Sequence, residues 1–407
     1  VENHPENAEK RAVHFMVRVA RALHIYGAPA NRLEAALTQM SARFGLEGQF
    51  FSTPTSIFIA FGPAEDQRMM LERVEPGDVN LEKLSELDEL LDEVASASVS
   101  PEEGVGRIAE IVARPNRYGW LSTTLAHILV AASAAVFLGG GRPDVVTAAV
   151  AGMIVGFLIR VMGNVSATNR LLELTAASLV TFFAAGISAL VTPVSILLVA
   201  ASALIVMVPG LNLTVAISEL ATRHLVSGSS RFAGSLVVFV TLAFGVGLGS
   251  QLGAAVFDPP ELVAAAELPR VVVAIALLSS TWALTIFFRA RPNDFVWIFL
   301  IGTLALAAGR LGVHFLGLEV GTMVAALFVG LGSNLFSRLR NRPVAIAQMP
   351  GMILLVPGVI GFRSASALVR EDTIVGVQTA FSVVLVAVAL VTGLLIANAV
   401  LPARRNL

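Results

Sequence analysis

Three ionisable residues, His127, Arg160 and Glu173, lie inside long apolar runs, and a fourth candidate, Glu219, follows one. Charge is costly in hydrocarbon, so each is first a candidate for function. Glu219 follows the break Val208-Pro209-Gly210, where a missing N–H and a glycine let the backbone turn. The stretch Leu211-Asn212-Leu213-Thr214 beyond it reads as a helix start with polar groups in its first turns. A helix N-terminus favours anions, which suits Asn212 and Thr214 to a substrate carboxylate. The competing reading is a loop with a short interfacial helix.

Glu219 and Glu173 are candidates for proton coupling or for binding a substrate amine, and Arg231 for holding Glu219 or a substrate carboxylate. Glu173 also reads as a membrane-surface carboxylate paired with Arg170. Arg160 lies one turn from a membrane face and is expected to snorkel. His127 is expected to be a packed, hydrogen-bonded core histidine. The amides of Asn164 and Asn169 can hydrogen-bond substrate or join helices.

These groups sit in a chain of 407 residues, 56 % hydrophobic and 14 % charged, with mean hydropathy +0.78 and no cysteine. Soluble domains carry roughly 25 % charged residues, so ordinary soluble enzyme classes are excluded. Without cysteine there is no disulfide framework, Cys-ligated zinc, iron–sulfur cluster or thiol nucleophile. The histidines show no metal-ligand spacing, and no nucleophile–base pair is selected, so neither metal nor cofactor is expected and the chain is not read as an enzyme. The net charge of −1 conceals a split: residues 1–117 sum to −7 and residues 118–407 to +6.

From Trp120 onward ten apolar runs follow one another, the first Trp120–Leu138 and the last Ile374–Leu401. Most have the length an α-helix needs to span a bilayer core. The fourth, Val194–Val208, and the ninth, Val344–Val356, are short, and both end on Val-Pro-Gly. No leader is expected ahead of Trp120. With ten spans and a cytoplasmic N-terminal part, eleven arginines fall in inside loops and tail against five outside. That agrees with the positive-inside rule and puts both termini in the cytoplasm.

Three markers recur in order. Arg142-Pro143-Asp144 returns as Arg291-Pro292-Asn293, Thr192-Pro193-Val194 as Arg342-Pro343-Val344, and Val208-Pro209-Gly210 as Val356-Pro357-Gly358. The offsets are nearly constant at about 150 residues, the mark of an internal duplication. Five spans per copy is odd, so the second copy enters the membrane inverted, an architecture of secondary transporters. The expected fold is an all-α polytopic membrane protein of two inverted five-helix repeats. Its helices would be broken at Pro209-Gly210, Pro350-Gly351 and Pro357-Gly358. The divisions are a cytoplasmic domain over 1–117, repeat one over 118–257, a connecting loop over 258–270 and repeat two over 271–407.

The first division reads as a small α/β or α+β domain. Residues 10–46 show helical periodicity divided at Tyr26-Gly27-Ala28-Pro29, and 49–61 read as two short strands around Thr53-Pro54-Thr55. Leu81–Val94 and Val105–Val112 read as amphipathic helices with an acidic face. The negative charge of this domain argues against nucleic acid as a partner.

The order Pro209-Gly210, Glu219, Gly228, Arg231 resembles the threonine/serine exporter family of bacterial membrane transporters. Tyr26-Gly27-Ala28-Pro29 with Arg32 and Glu34, then Thr53–Phe58, is similar to that family's N-terminal cytoplasmic domain. The resemblance covers nearly the whole chain. It departs at Glu219, where the family pattern has Asp, and at Arg223-His224, where it has Gly and then a small or acidic residue. What the resemblance implies is proton-driven export of small polar amino acids, threonine and serine, across the cytoplasmic (inner) membrane. Its partners would be the substrate, protons and the bilayer, with room for a homo-oligomer. A C4-dicarboxylate exporter, a membrane-anchored hydrolase or sensor acting through residues 1–117, and a passive channel remain as alternatives.

Overall fold

The computed structural model describes residues 5–63, 65–75, 77–163, 171–257, 268–355 and 373–405. The chain opens with α1 (Pro5–Ile25), whose face of Phe15, Val19, Ala22 and Leu23 is buried. Gly27, in the left-handed region at φ +94°, ends that helix, and Pro29 fixes the start of α2 (Ala30–Arg43). Strands β1 (Gly48–Thr53), β2 (Ser56–Phe61) and β3 (Arg68–Arg73) form an antiparallel sheet in the order β1-β2-β3, with Phe51 opposite Phe58 and Phe58 opposite Leu71. Ile57, Ile59 and Phe61 turn into the core with α1 and α2. The third strand went unforeseen because three of its six residues are charged. Helices α3 (Leu81–Ala95) and α4 (Pro101–Ala113) complete this part, capped by Asn80 and Ser100.

The apolar part comprises α5 (Trp120–Phe137), α6 (Arg142–Met162), α7 (Leu172–Leu190), α8 (Ile196–Leu204), α9 (Gly210–Ala221) and α10 (Leu225–Val256). Then follow α11 (Arg270–Phe287), α12 (Phe295–Leu316), α13 (Leu318–Arg340), α14 (Ala345–Ile353) and α15 (Thr373–Val400). Among the described residues eight helices are long and apolar enough to cross a membrane: α5, α6, α7, α10, α11, α12, α13 and α15.

The fourth and ninth apolar runs do not form full-length helices. Each holds a nine-residue helix, α8 or α14, that rises about 14 Å, half a bilayer core. Proline at 193 or 343 precedes each one. The interruption expected at Pro350-Gly351 is absent, because α14 runs through both residues. Proline there removes one backbone bond, while Gly351 lies tightly against Ile301 and Val329, which holds the turn in place. At Pro209-Gly210 the chain leaves helical geometry after α8 and re-enters it as α9. Pro357 and Gly358 lie outside the described residues, as do Asn164 and Asn169.

The charge split has a structural meaning. The acidic face of α3 lies on arginines at the ends of apolar helices. Arg289 pairs with Asp78 at 2.8 Å and Arg405 with Asp88 at 2.7 Å, while Arg291 lies within 4.0 Å of Glu82, Glu86 and Glu89. The backbone N–H groups of Leu81 and Glu82 donate to the carbonyls of Phe288 and Arg289, at 2.9 and 3.1 Å. The positive start of α3 thus meets the negative end of α11. The N-terminal domain is therefore seated on one face of the helix bundle. Helix α5 starts at this face and, at about 27 Å, carries its end to the opposite one.

Close helix approach depends on small residues. A Cβ at Gly245 would lie 2.7 Å from the Ala177 Cβ and 2.8 Å from the Leu174 carbonyl, so α7 and α10 touch through backbone there. A Cβ at Gly234, eleven residues earlier in α10, would meet nothing within 4 Å. Gly245→Ala should therefore cost about 1–3 kcal/mol by overpacking. Gly234→Ala should be neutral or stabilise by about 0.5–1 kcal/mol. Thermal melts of both variants in detergent check the pair, and equal melting temperatures would refute the contact.

Candidate functional site

The polar centre of the molecule is built on the hairpin of α9 and α10. Helix α9 ends at Ala221; Arg223, left-handed at φ +67°, turns the chain, and α10 runs back alongside. Ser227 and Arg231 stand four residues apart on one face of α10, so both meet Glu219 across the hairpin. Gly228 between them permits the approach: a Cβ there would lie 2.7 Å from Leu220 and 2.8 Å from the Ala216 carbonyl.

Glu219 is fully buried, and both its oxygens are engaged. Oε2 accepts from the Ser227 hydroxyl at 2.8 Å, and Oε1 from Arg231 Nε at 3.1 Å. Oε1 also accepts from the backbone N–H of Ala30 at 3.0 Å. Ala30 is the first residue of α2, whose N-cap is Pro29, a residue with no side-chain acceptor. Glu219 supplies the missing cap from another part of the chain, and its charge suits the positive end of that helix.

The remainder of α2's first turns is equally committed. Arg32 Nη2 donates to Gln348 Oε1 of α14 at 2.9 Å. Glu34 accepts from the Ser52 N–H at 2.7 Å and faces His224 Nε2 at 3.2 Å. His224 Nδ1 lies 3.1 Å from the Thr222 hydroxyl, and His24 Nε2 lies 3.0 Å from the Pro54 carbonyl. Helix α2 thus touches the α9–α10 hairpin on one side and α14 on the other. Burial pushes the Glu34 carboxyl up, opposed by the Ser52 N–H and by His224. Burial holds the His24 imidazole below its ordinary range. Two polar atoms in this region, His24 Nδ1 and the Ser52 hydroxyl, are buried without a partner among the described residues.

The residues expected from sequence divide here. Glu219 and Arg231 come together. Asn212 and Thr214 lie in the first turns of α9, about 10 and 7 Å along the axis from Glu219. Asn212 is exposed, and the Thr214 hydroxyl donates to the Gly210 carbonyl of its own helix at 3.0 Å. Glu173 opens α7, half-buried, away from the hairpin. His127 is buried, with Nδ1 2.7 Å from the Thr123 carbonyl and its ring edge on Phe287. Ser227, His224 and Gln348 were missed. The spacing Ser227-x-x-x-Arg231 around a glycine was a legible signal for the first. A helix start on Pro29 with no cap residue signalled that α2 needs an acceptor from elsewhere.

Glu219→Ala leaves Arg231 without its counter-charge and should destabilise by about 3–5 kcal/mol. Ser227→Ala should cost about 1 kcal/mol, and a double-mutant cycle read by thermal melting should show the two coupled. Since the unfolded chain protonates His24 more readily than the folded one, stability should fall as the pH drops from about 7.5 to about 5.5. The raised Glu34 acts with the opposite sign, binding protons more readily when folded. His24→Gln should therefore flatten or reverse that slope of melting temperature with pH.

Comparison with known proteins gives the chain relatives. A threonine/serine exporter family model, ThrE, matches residues 14–253, and a second, described as threonine/serine exporter, ThrE, matches 272–400. The chain is 26 % identical over 391 residues to pheromone-regulated membrane protein 10 of Pichia sorbitophila, covering 90 % of this chain and 37 % of that protein. Its counterpart in Yarrowia lipolytica is 27 % identical, covering 89 % of this chain and 31 % of that one. In Saccharomyces cerevisiae the figures are 25 %, 90 % and 50 %. The chain thus spans a third to a half of the length of these curated relatives. No solved structure matches. With both halves matched and the Pro209-Gly210, Glu219, Gly228, Arg231 series gathered on one hairpin, the chain belongs to the threonine/serine exporter family of multi-pass membrane transporters.

Proposed function

We propose that the chain is a secondary active exporter of small polar amino acids, threonine and serine above all, driven by proton antiport. In this reading it lies in a cytoplasmic membrane as two inverted repeats making ten crossings. Its N-terminal domain and both termini lie in the cytoplasm. The arginines that hold α3 are the positive-inside residues of that arrangement.

The observation that carries the reading is a pair of matching ties. Asp144, in the first turn of α6, accepts from the Ser195 N–H at 2.7 Å, at the start of the short helix α8. Asp294, before α12, pairs with Arg342, just before the short helix α14. The two aspartates are 150 positions apart. Asp144 is one helix length from the seated domain, whereas Arg342 also reaches Ser85 of that domain. Each aspartate ties the start of a long helix to the chain just before a short one, the first through a backbone N–H and the second through an arginine side chain. Equivalent positions on opposite faces are what inverted duplication would produce, and short helices at matching places suit a midplane site. Helices α8 and α9 would then make the fourth crossing together.

Coupling follows from the chemistry of Glu219. Ionised, it would cap α2 and neutralise Arg231, which would keep α2 against the α9–α10 hairpin. A proton on Glu219 removes the charge from both contacts and frees α2 to move. Asn212 and Thr214 at the start of α9 would receive the substrate carboxylate. Glu173, Asn164 and Asn169 would complete the path at the other end. A C4-dicarboxylate is the second reading, supported by the additional cation Arg32 at the seam, although Glu219 already occupies Arg231.

Flux of labelled threonine and serine into proteoliposomes tests the proposal. Uphill, pH-gradient-dependent flux that collapses with an uncoupler is expected. Glu219→Gln should remain folded and lose its dependence on pH. PH-dependent transport at the wild-type rate in Glu219→Gln would sink the coupling role, and flux of succinate alone would move the substrate to the second reading.

A further inference from the structure

Arg32 is a cation with no counter-charge among the described residues. Its one hydrogen bond among the described residues goes to a neutral amide, Gln348 Oε1. Guanidinium carries five donors, and no carboxylate among the described residues lies within ion-pair distance of it. The two nearby acidic groups are committed elsewhere: Glu219 to Ala30, Ser227 and Arg231, and Glu34 to Ser52 and His224. Arg32 also stands in the first turn of α2, the positive end of the helix dipole, where cations are disfavoured, and no acidic residue shares that turn.

Its surroundings add to the cost. Burial alone lowers the guanidinium to about 10, yet the residue keeps partial exposure. Gln348 belongs to α14, which packs beside α9, so the guanidinium stands where the first turn of α2 meets the short helices of both halves. A cation held here at a folding cost is a site awaiting an anion. Planar forked donors match a carboxylate bidentately.

We infer that Arg32, carried by the N-terminal domain, is the group that first binds the carboxylate of the transported solute, at the seam between α9 and α14, before it passes along α9 to Asn212 and Thr214. This rests on the transporter reading and adds a binding group that belongs to the soluble domain. The group recognised is a carboxylate, which a free amino acid and a dicarboxylate share.

The test uses the full chain in detergent, with threonine, threonine methyl ester and succinate as probes in thermal-shift and equilibrium binding experiments. Wild type should be stabilised by a probe with a free carboxylate and not by the ester. Arg32→Gln should weaken that binding at least tenfold, with Arg32→Lys intermediate because it keeps charge without the fork. Without ligand, Arg32→Gln should melt a few degrees above wild type, because an uncompensated charge has been removed. A purely structural arginine predicts the opposite sign. Lower melting of Arg32→Gln together with undiminished carboxylate binding overturns the proposal, as does wild type that binds neither carboxylate. Binding of succinate but not threonine, lost in Arg32→Gln, upholds the role of Arg32 and removes the amino-acid substrate instead.

Discussion

The hydrogen bond from Ala30 N–H to Glu219 is the constraint around which the two parts of the molecule are arranged. A helix that begins after proline has no cap of its own, and a carboxylate buried in a helical hairpin needs donors. Each supplies what the other lacks. The contact places α2 between the α9–α10 hairpin and α14, so a soluble element bridges the two halves of the membrane bundle. Any movement of one half against the other must carry α2 along or release it.

The acidic charge of the soluble domain and the basic charge of the bundle are two sides of one seating surface. Arginines beside a bilayer have a topological role, and here Arg289, Arg291 and Arg405 also serve as anchors for α3. The Arg289–Asp78 pair is exposed at its aspartate, and such pairs contribute little singly, whereas Arg405 and Asp88 are mostly buried. The number of these pairs, together with the backbone bonds from the start of α3 to the end of α11, makes a fixed orientation. The N-terminal domain is thereby fixed to one face of the helix bundle.

The bundle itself combines rigid and interrupted elements. Helices α7 and α10 touch through Gly245, Gly249 and Gly253 in the second half of α10 and offer little play there. Helices α8 and α14 are half-length and bounded by proline. Backbone that is not helical at membrane depth is tolerated where protein or a polar cavity surrounds it. The polar groups of α2 arrive beside one of these short helices, α14, and at the α9–α10 hairpin that follows the other.

Much of this was legible in the sequence because it rests on local patterns. Apolar runs of bilayer length give long helices wherever water is absent, and proline with glycine ends them, so the positions of the eight long apolar helices among the described residues and the break before α9 followed from residue type alone. The breaker Pro350-Gly351 misled, since packing of Gly351 on Ile301 holds a helix that local preference would end. Strand β3 was hidden because its charges obscure the alternation that β2 satisfies by pairing. Glu219 and Arg231 were nominated by their cost in an apolar chain, but Ala30, which donates to Glu219, lies 189 positions from it. Sequence marks which groups are expensive to bury, because that depends on each residue's own chemistry. Only the tertiary structure decides which of them are satisfied, leaving Glu219 with three donors and Arg32 with one neutral acceptor, because satisfaction depends on neighbours that the fold brings together.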